Sequence, residues 1–119
     1  MVFALGACDE LYRQSERDAL DRDKENILAF AKTAGCTGNS DCRFSGLGVK
    51  PCGGPWGYVI YSTNLDTAQL IRLINDYNVA EQAYNRKWGI AGDCEVPPPP
   101  DSVRCINNVC IGYWNGVAH

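Results

Sequence analysis

Seven cysteines, at positions 8, 36, 42, 52, 94, 105 and 110, constrain this chain more than any other feature of it. No two stand at the C-x-x-C spacing of a redox dithiol or a zinc knuckle, and the one histidine is the last residue, His119. Cysteines dispersed in this way through 119 residues read as a disulfide framework, and therefore as an oxidising compartment. No metal site and no cofactor is expected. A single domain of this length has room for only a modest core, so covalent staples matter to it. An odd count sets one cysteine apart. Cys8 is expected to be that one, because a long polar segment separates it from the others. The remaining six, Cys36, Cys42, Cys52, Cys94, Cys105 and Cys110, are expected to form three bridges. Six cysteines allow fifteen pairings, and the spacing does not choose among them.

The net charge is −3 and the basic residues are scattered among acids, which argues against a nucleic-acid partner. No stretch approaches the ~20 apolar residues of a membrane span.

Read in order, residues 15–33 carry the marks of a helix. Ser15 to Asp18 has the shape of a capping box, Asp18 and Arg22 stand four apart, and Leu20, Ile27, Leu28, Ala31 and Ala34 form an apolar stripe. Gly35 is the expected stop. The dense mixed charge from Asp9 to Glu25 reads as a solvated helix face. Residues 36–42 form a polar loop between two cysteines. Residues 43–49 and 56–62 are expected strands, joined by the Gly/Pro turn around Cys52-Gly53-Gly54-Pro55. The second strand is apolar or aromatic on both faces, with Trp56, Tyr58 and Ile60 on one and Val59 and Tyr61 on the other. It is expected to be covered on both sides.

A second helix is expected over 64–88, capped by Thr63 or Asn64 and closed by Gly89. Leu70, Leu73, Tyr77, Ala80, Tyr84 and Trp88 mark its apolar face. Two Tyr-Asn pairs seven residues apart, with Glu81 between them, place Asn78, Glu81 and Asn85 in a polar row beside that face. The row is expected to hydrogen-bond the backbone of the glycine-rich turn rather than to bind a ligand. The four prolines 97–100 stiffen an extended loop. Residues 102–106 and 109–114 should form a hairpin around Asn107-Asn108, with Cys105 opposite Cys110. Residues 115–119 read as a frayed tail. The fold expected is α+β in the order helix, hairpin, helix, hairpin. One antiparallel sheet of three to four strands packs on the second helix.

Catalytic parts are sparse. A Ser or Cys nucleophile needs a base, and the single histidine is terminal. No glycine run has the strand-loop-helix setting of a phosphate loop. Carboxylate hydrolysis is the distant alternative. A binding role fits better. Aromatic side chains give rigid contact area, and bridged loops are already ordered. The candidate contact residues are Lys50, Pro55, Trp56, Tyr58, Pro98 and Trp114. They lie on or beside the loops at 50–55 and 95–101, with Lys50 as a basic plug for a protease pocket.

Residues Leu5-Gly6-Ala7-Cys8 resemble the cleavage and lipidation box of a bacterial lipoprotein signal peptide. With the Cys52-Gly53-Gly54-Pro55 turn, the two Tyr-Asn pairs and the closing Cys105-x4-Cys110 hairpin, the chain resembles small cysteine-rich lipoproteins and secreted proteins of bacteria. That resemblance implies export, lipidation of Cys8 and envelope attachment, and it brings no activity. Residues 1–14 are read as a signal-peptide remnant and tether, and 15–119 as one disulfide-rich α+β domain. The expected function is an exported binding protein, in one form a hydrolase or protease inhibitor. Its partner would be a protein or an envelope component, with membrane contact only through Cys8. A structural or accessory envelope lipoprotein is the alternative.

Overall fold

A computed structural model describes residues 2–92 and 94–119 and the side chains from Cys8 onward, so the lipobox-like side chains at 5–7 lie outside the described residues. The described residues form an α+β fold in the expected order. Helix α1 (Val2–Ala31) leads to strands β1 (Cys42–Leu47) and β2 (Gly57–Ser62), then helix α2 (Thr67–Trp88). Strands β3 (Ser102–Ile106), β4 (Val109–Trp114) and β5 (Val117–Ala118) close the chain.

The helices pack antiparallel, since Glu16 meets Lys87 and Trp88 at one end while Asn26 and Ile27 lie beside Leu73 at the other. Leu20, Ile27 and Ala31 of α1 and Leu70, Ile74, Tyr77 and Tyr84 of α2 meet Leu47 and Val59 of the β1–β2 hairpin in one core. The buried face of α2 is turned slightly from the expected stripe. Ile74 and Glu81 are inside, while Ala80 is exposed. Asp66 caps α2 by accepting from the Gln69 amide at 3.1 Å, in place of Thr63 or Asn64, and Gly89 closes it in the left-handed region at φ 59°.

Helix α1 runs unbroken through position 14, so Ser15 is interior and not a cap. Along it Asp18 accepts a hydrogen bond from Gln14, in place of the expected pairing with Arg22, and Arg17 pairs with Asp21. From Glu16 back toward Cys8 it passes the end of α2, leaving Leu11 71% exposed. This gives the molecule its 61 × 27 × 20 Å extents.

The strands make two sheets rather than one. β1 pairs with β2, and β3, β4 and β5 form a separate antiparallel sheet. The β1–β2 hairpin is the middle layer. Val59 faces the helices, while Ile60 on the opposite face meets Gly112 of β4 so closely that a Cβ there would lie 3.0 Å from Ile60 Cδ1. β2 is thus covered on both faces, as its composition requires. The β3–β4 hairpin turns at Asn107 and Asn108, both at positive φ. The tail is not frayed. Asn115 and Gly116, also at positive φ, fold β5 back onto β4.

Three disulfides staple these layers: Cys36–Cys105, Cys42–Cys110 and Cys52–Cys94. Cys105 and Cys110 stand opposite each other in the β3–β4 hairpin, and both reach across to the 36–42 loop. Cys8 is free and exposed.

Candidate functional site

The turn between β1 and β2 is held from behind by the polar row of α2. Asn78 Oδ1 accepts from the Gly48 amide at 2.8 Å, and Asn85 Nδ2 donates to the Val49 carbonyl at 2.9 Å. Glu81, only 2% exposed, accepts from the Val49 amide at 2.6 Å. A chain leaving a strand loses its ladder partners, and here three side chains on adjacent turns of one helix replace them.

The buried Glu81 charge has its own partners. Its second oxygen accepts from the Tyr77 hydroxyl at 3.0 Å and from Arg17 at 3.1 Å. Arg17 also donates to the Tyr77 oxygen at 3.1 Å, and its guanidinium lies 5.2 Å from the centre of the Tyr84 ring. Burial works against the Arg17 charge, but its bonds to Tyr77 and Glu81 outweigh that and raise its pKa. Burial first, and then the charge of Glu81, push the Tyr77 phenol up to about 12.

That shift has a definite consequence for pH. The folded pKa of Tyr77 lies above the ordinary tyrosine value of about 10. Its contribution to stability is therefore fully present below pH about 10 and is lost as pH rises toward about 12. The urea midpoint of the native chain is expected to fall across this window, and Tyr77→Phe is expected to flatten the fall.

Gly48 is the residue that this arrangement cannot replace. Its φ is +88°, and a Cβ would lie 2.8 Å from Trp56 Cδ1 and 2.9 Å from Glu81 Oε1. Gly48→Ala combines left-handed strain with overpacking, and is expected to cost about 2–4 kcal/mol in urea unfolding.

The turn is closed on itself by the Lys50 amide to the Gly54 carbonyl at 2.9 Å and the Gly53 amide to the Lys50 carbonyl at 2.8 Å. In front of it runs the proline strap at 94–101. Proline has no N–H, so the four prolines of the strap offer only acceptors. Donor side chains take them up. Lys50 Nζ donates to the Glu95 carbonyl, Tyr58 to that of Pro97 at 2.8 Å, and Trp114 Nε1 to that of Pro98 at 2.9 Å. Cys52–Cys94 bonds the turn to the strap, and a Cβ on Gly54 would lie 2.6 Å from Val96 Cγ2. Two loops that the sequence left separate are one structure.

The residues singled out from the sequence are largely brought together here. Trp56 is 46% exposed and stands over a shallow cavity of about 550 Å³ with Lys50, Val96, Pro97 and Pro98. Tyr58 and Trp114 are half-buried struts of the strap. Pro55 packs on β1, where a Cβ on Gly46 would lie 3.2 Å from Pro55 Cβ. Lys50 departs from expectation. It is 7% exposed, and its ammonium is turned inward to Glu95 and lies 4.9 Å from the Trp56 ring centre. It fastens the loop and is not presented as a basic plug. Glu95 and Val96 also belong to the site. The prolines beside them were the sequence signal, but proline marks stiffness and not contact. Elsewhere Asp41 accepts from the Thr37 amide and hydroxyl, which lower its pKa and shape the loop between Cys36 and Cys42. No family model, no curated protein and no solved structure matches this chain.

Proposed function

We propose that this chain is an exported, non-catalytic binding protein that meets a protein or envelope partner through Trp56 and the strap beside it. The observation that carries the reading is Trp56 itself, 46% exposed on a turn fixed from behind by Asn78, Glu81 and Asn85 and in front by Cys52–Cys94. Exposed tryptophan on an ordered frame is the usual hot spot of an interface, and a frame ordered in advance lowers the cost of association. The three disulfides support an oxidising, exported location. Inhibition of a protease or another hydrolase is one form that such contact takes. With Lys50 turned inward, it would use Trp56, Val96 and the strap prolines.

The test is titration against a panel of proteases and glycosidases and against solubilised bacterial envelope, read by tryptophan fluorescence and by target activity. A saturable complex is expected, weakened about tenfold or more in Trp56→Ala with the fold retained. A complex equally tight in Trp56→Ala contradicts the reading. So does turnover of a peptide or glycoside by the chain itself, which returns the carboxylate hydrolase alternative.

An accessory envelope lipoprotein is the second reading, favoured by the free and exposed Cys8 on the part of α1 that runs past α2. Intact mass of the chain isolated from host membranes tests it, since lipidation adds acyl mass at Cys8.

A further inference from the structure

We propose that the free edge of β2 docks an extended apolar segment of a partner protein, which adds to the β1–β2 sheet as a third strand. The Thr63 amide donates to the Asp41 carbonyl at 2.7 Å, one step beyond the facing residues Cys42 and Ser62. An antiparallel ladder bonds every second pair, so Tyr61 and Val59 are the residues bonded to Arg43 and Ser45 of β1. The N–H and C=O groups of Tyr58 and Ile60 therefore point to the opposite edge. No strand pairs with that edge, and among the described residues no loop or turn bond uses these four groups. The composition of β2 is that of a central strand, and a central strand has a neighbour on each side.

A groove of about 470 Å³ runs along the same edge. All of residues 58–62 line it, odd and even alike, which marks a strand edge and not a strand face. Leu28 and Ala31 of α1 form one wall, and Val109 and Ile111 of β4 form the other. The groove thus continues the middle layer, between the same two layers that cover β2. Gly35 and Asn108 meet at one end of it, where the Cys36 amide donates to the Asn108 carbonyl at 3.1 Å.

The walls select the occupant. A strand laid along β2 sets alternate side chains against α1 and against β4, and both walls are apolar. Its backbone supplies partners for the N–H and C=O groups of Tyr58 and Ile60. Lys32 stands on the rim, exposed and with no ion pair among the described residues, and no acidic side chain lines the groove. The complementary segment therefore carries an acidic side chain beside its apolar run. A folded second copy does not suit the groove. Its own β2 edge lies inside the same groove between two layers, and its β5 is only two residues long. Trp56 does not line the groove, so this contact is separate from the one proposed above.

The full, disulfide-intact chain is used to select from random peptides displayed on phage, and the selected peptides are synthesised. Apolar runs flanked by Asp or Glu are expected. In the isotopically labelled chain, a bound peptide should slow hydrogen exchange of the Tyr58 and Ile60 amides about tenfold or more. Only one edge of a bound strand faces β2. N-methylation of one alternate set of peptide residues should therefore weaken binding about tenfold or more, while methylation of the other set leaves it nearly unchanged. Lys32→Glu, an exposed change, should weaken binding about tenfold, and exchanging the acid of the peptide for lysine should restore it. Failure to select any peptide, binding that leaves exchange of the Tyr58 and Ile60 amides unchanged, or an equal effect of the two methylations would each overturn the proposal. So would a dimer in sedimentation that protects these amides without peptide, since the edge would then belong to a second copy.

Discussion

Glu81→Ala is expected to remove about 3–5 kcal/mol of stability, the cost of breaking a buried ion pair from one side. The variant would leave the Arg17 guanidinium without its buried partner, the Tyr77 hydroxyl without its acceptor and the Val49 amide unbonded. Domains of this kind have only about 5–15 kcal/mol in total, so the urea midpoint should move most of the way toward zero in a weakly stable case. Glu81→Gln separates charge from shape. The amide keeps one accepting oxygen but must turn its donor side either toward the Val49 amide or toward Arg17 and Tyr77, all of which donate to Glu81. A loss of about 2 kcal/mol is expected for it. A Glu81→Gln variant as stable as the native chain would mean that the carboxylate is not holding the turn.

Removing the two bridges that reach the β3–β4 hairpin should show coupling between them. Cys36–Cys105 and Cys42–Cys110 span 69 and 68 residues and run side by side. Once one is closed, the other closes a circuit of only about a dozen residues, worth about 3 kcal/mol in the loop-entropy model. With Cys52–Cys94 intact, the first of the pair to form closes a circuit of about 28 residues and is worth about 3.6 kcal/mol in the same model. Replacing either pair by alanines is therefore expected to cost about 3 kcal/mol, and replacing both about 6.5 kcal/mol, somewhat more than the sum of the singles. Urea unfolding of the two double variants and the quadruple variant measures this. Simple additivity would show that the bridges act through local strain rather than through a shared closed loop.

Much of this architecture was legible because it rests on local chemistry. Asn107-Asn108 and Gly89 need positive φ, and that fixed the closing hairpin and the end of α2. The heptad repeat of Tyr77 and Tyr84 placed Asn78, Glu81 and Asn85 on one flank, and their backbone client is the start of the turn that the row was expected to serve. What stayed hidden depends on long-range contact. Arg17 sits in a run of charges that reads as solvated, and only the antiparallel docking of α1 on α2 brings it to Glu81. Lys50 reads as an exposed cation until the strap supplies the Glu95 carbonyl. The division into two sheets and the pairing of the bridges depend on how the layers stack, which no local spacing records. Asn115-Gly116 carries a turn signal at a chain end, where fraying is the usual expectation, and it folds β5 back onto β4.

Hydrogen exchange at the Gly48 and Val49 amides tests most directly whether the turn behind Trp56 is a fixed platform. Both amides lie outside regular strand, yet each donates to a side chain of α2. They are expected to exchange as slowly as the central amides of α2, opening only with global unfolding, and the Val49 amide should become fast in Glu81→Ala under conditions where that variant is still folded. Exchange of both amides in the native chain at the rate of an open loop would contradict a fixed platform, and with it a contact surface ordered in advance.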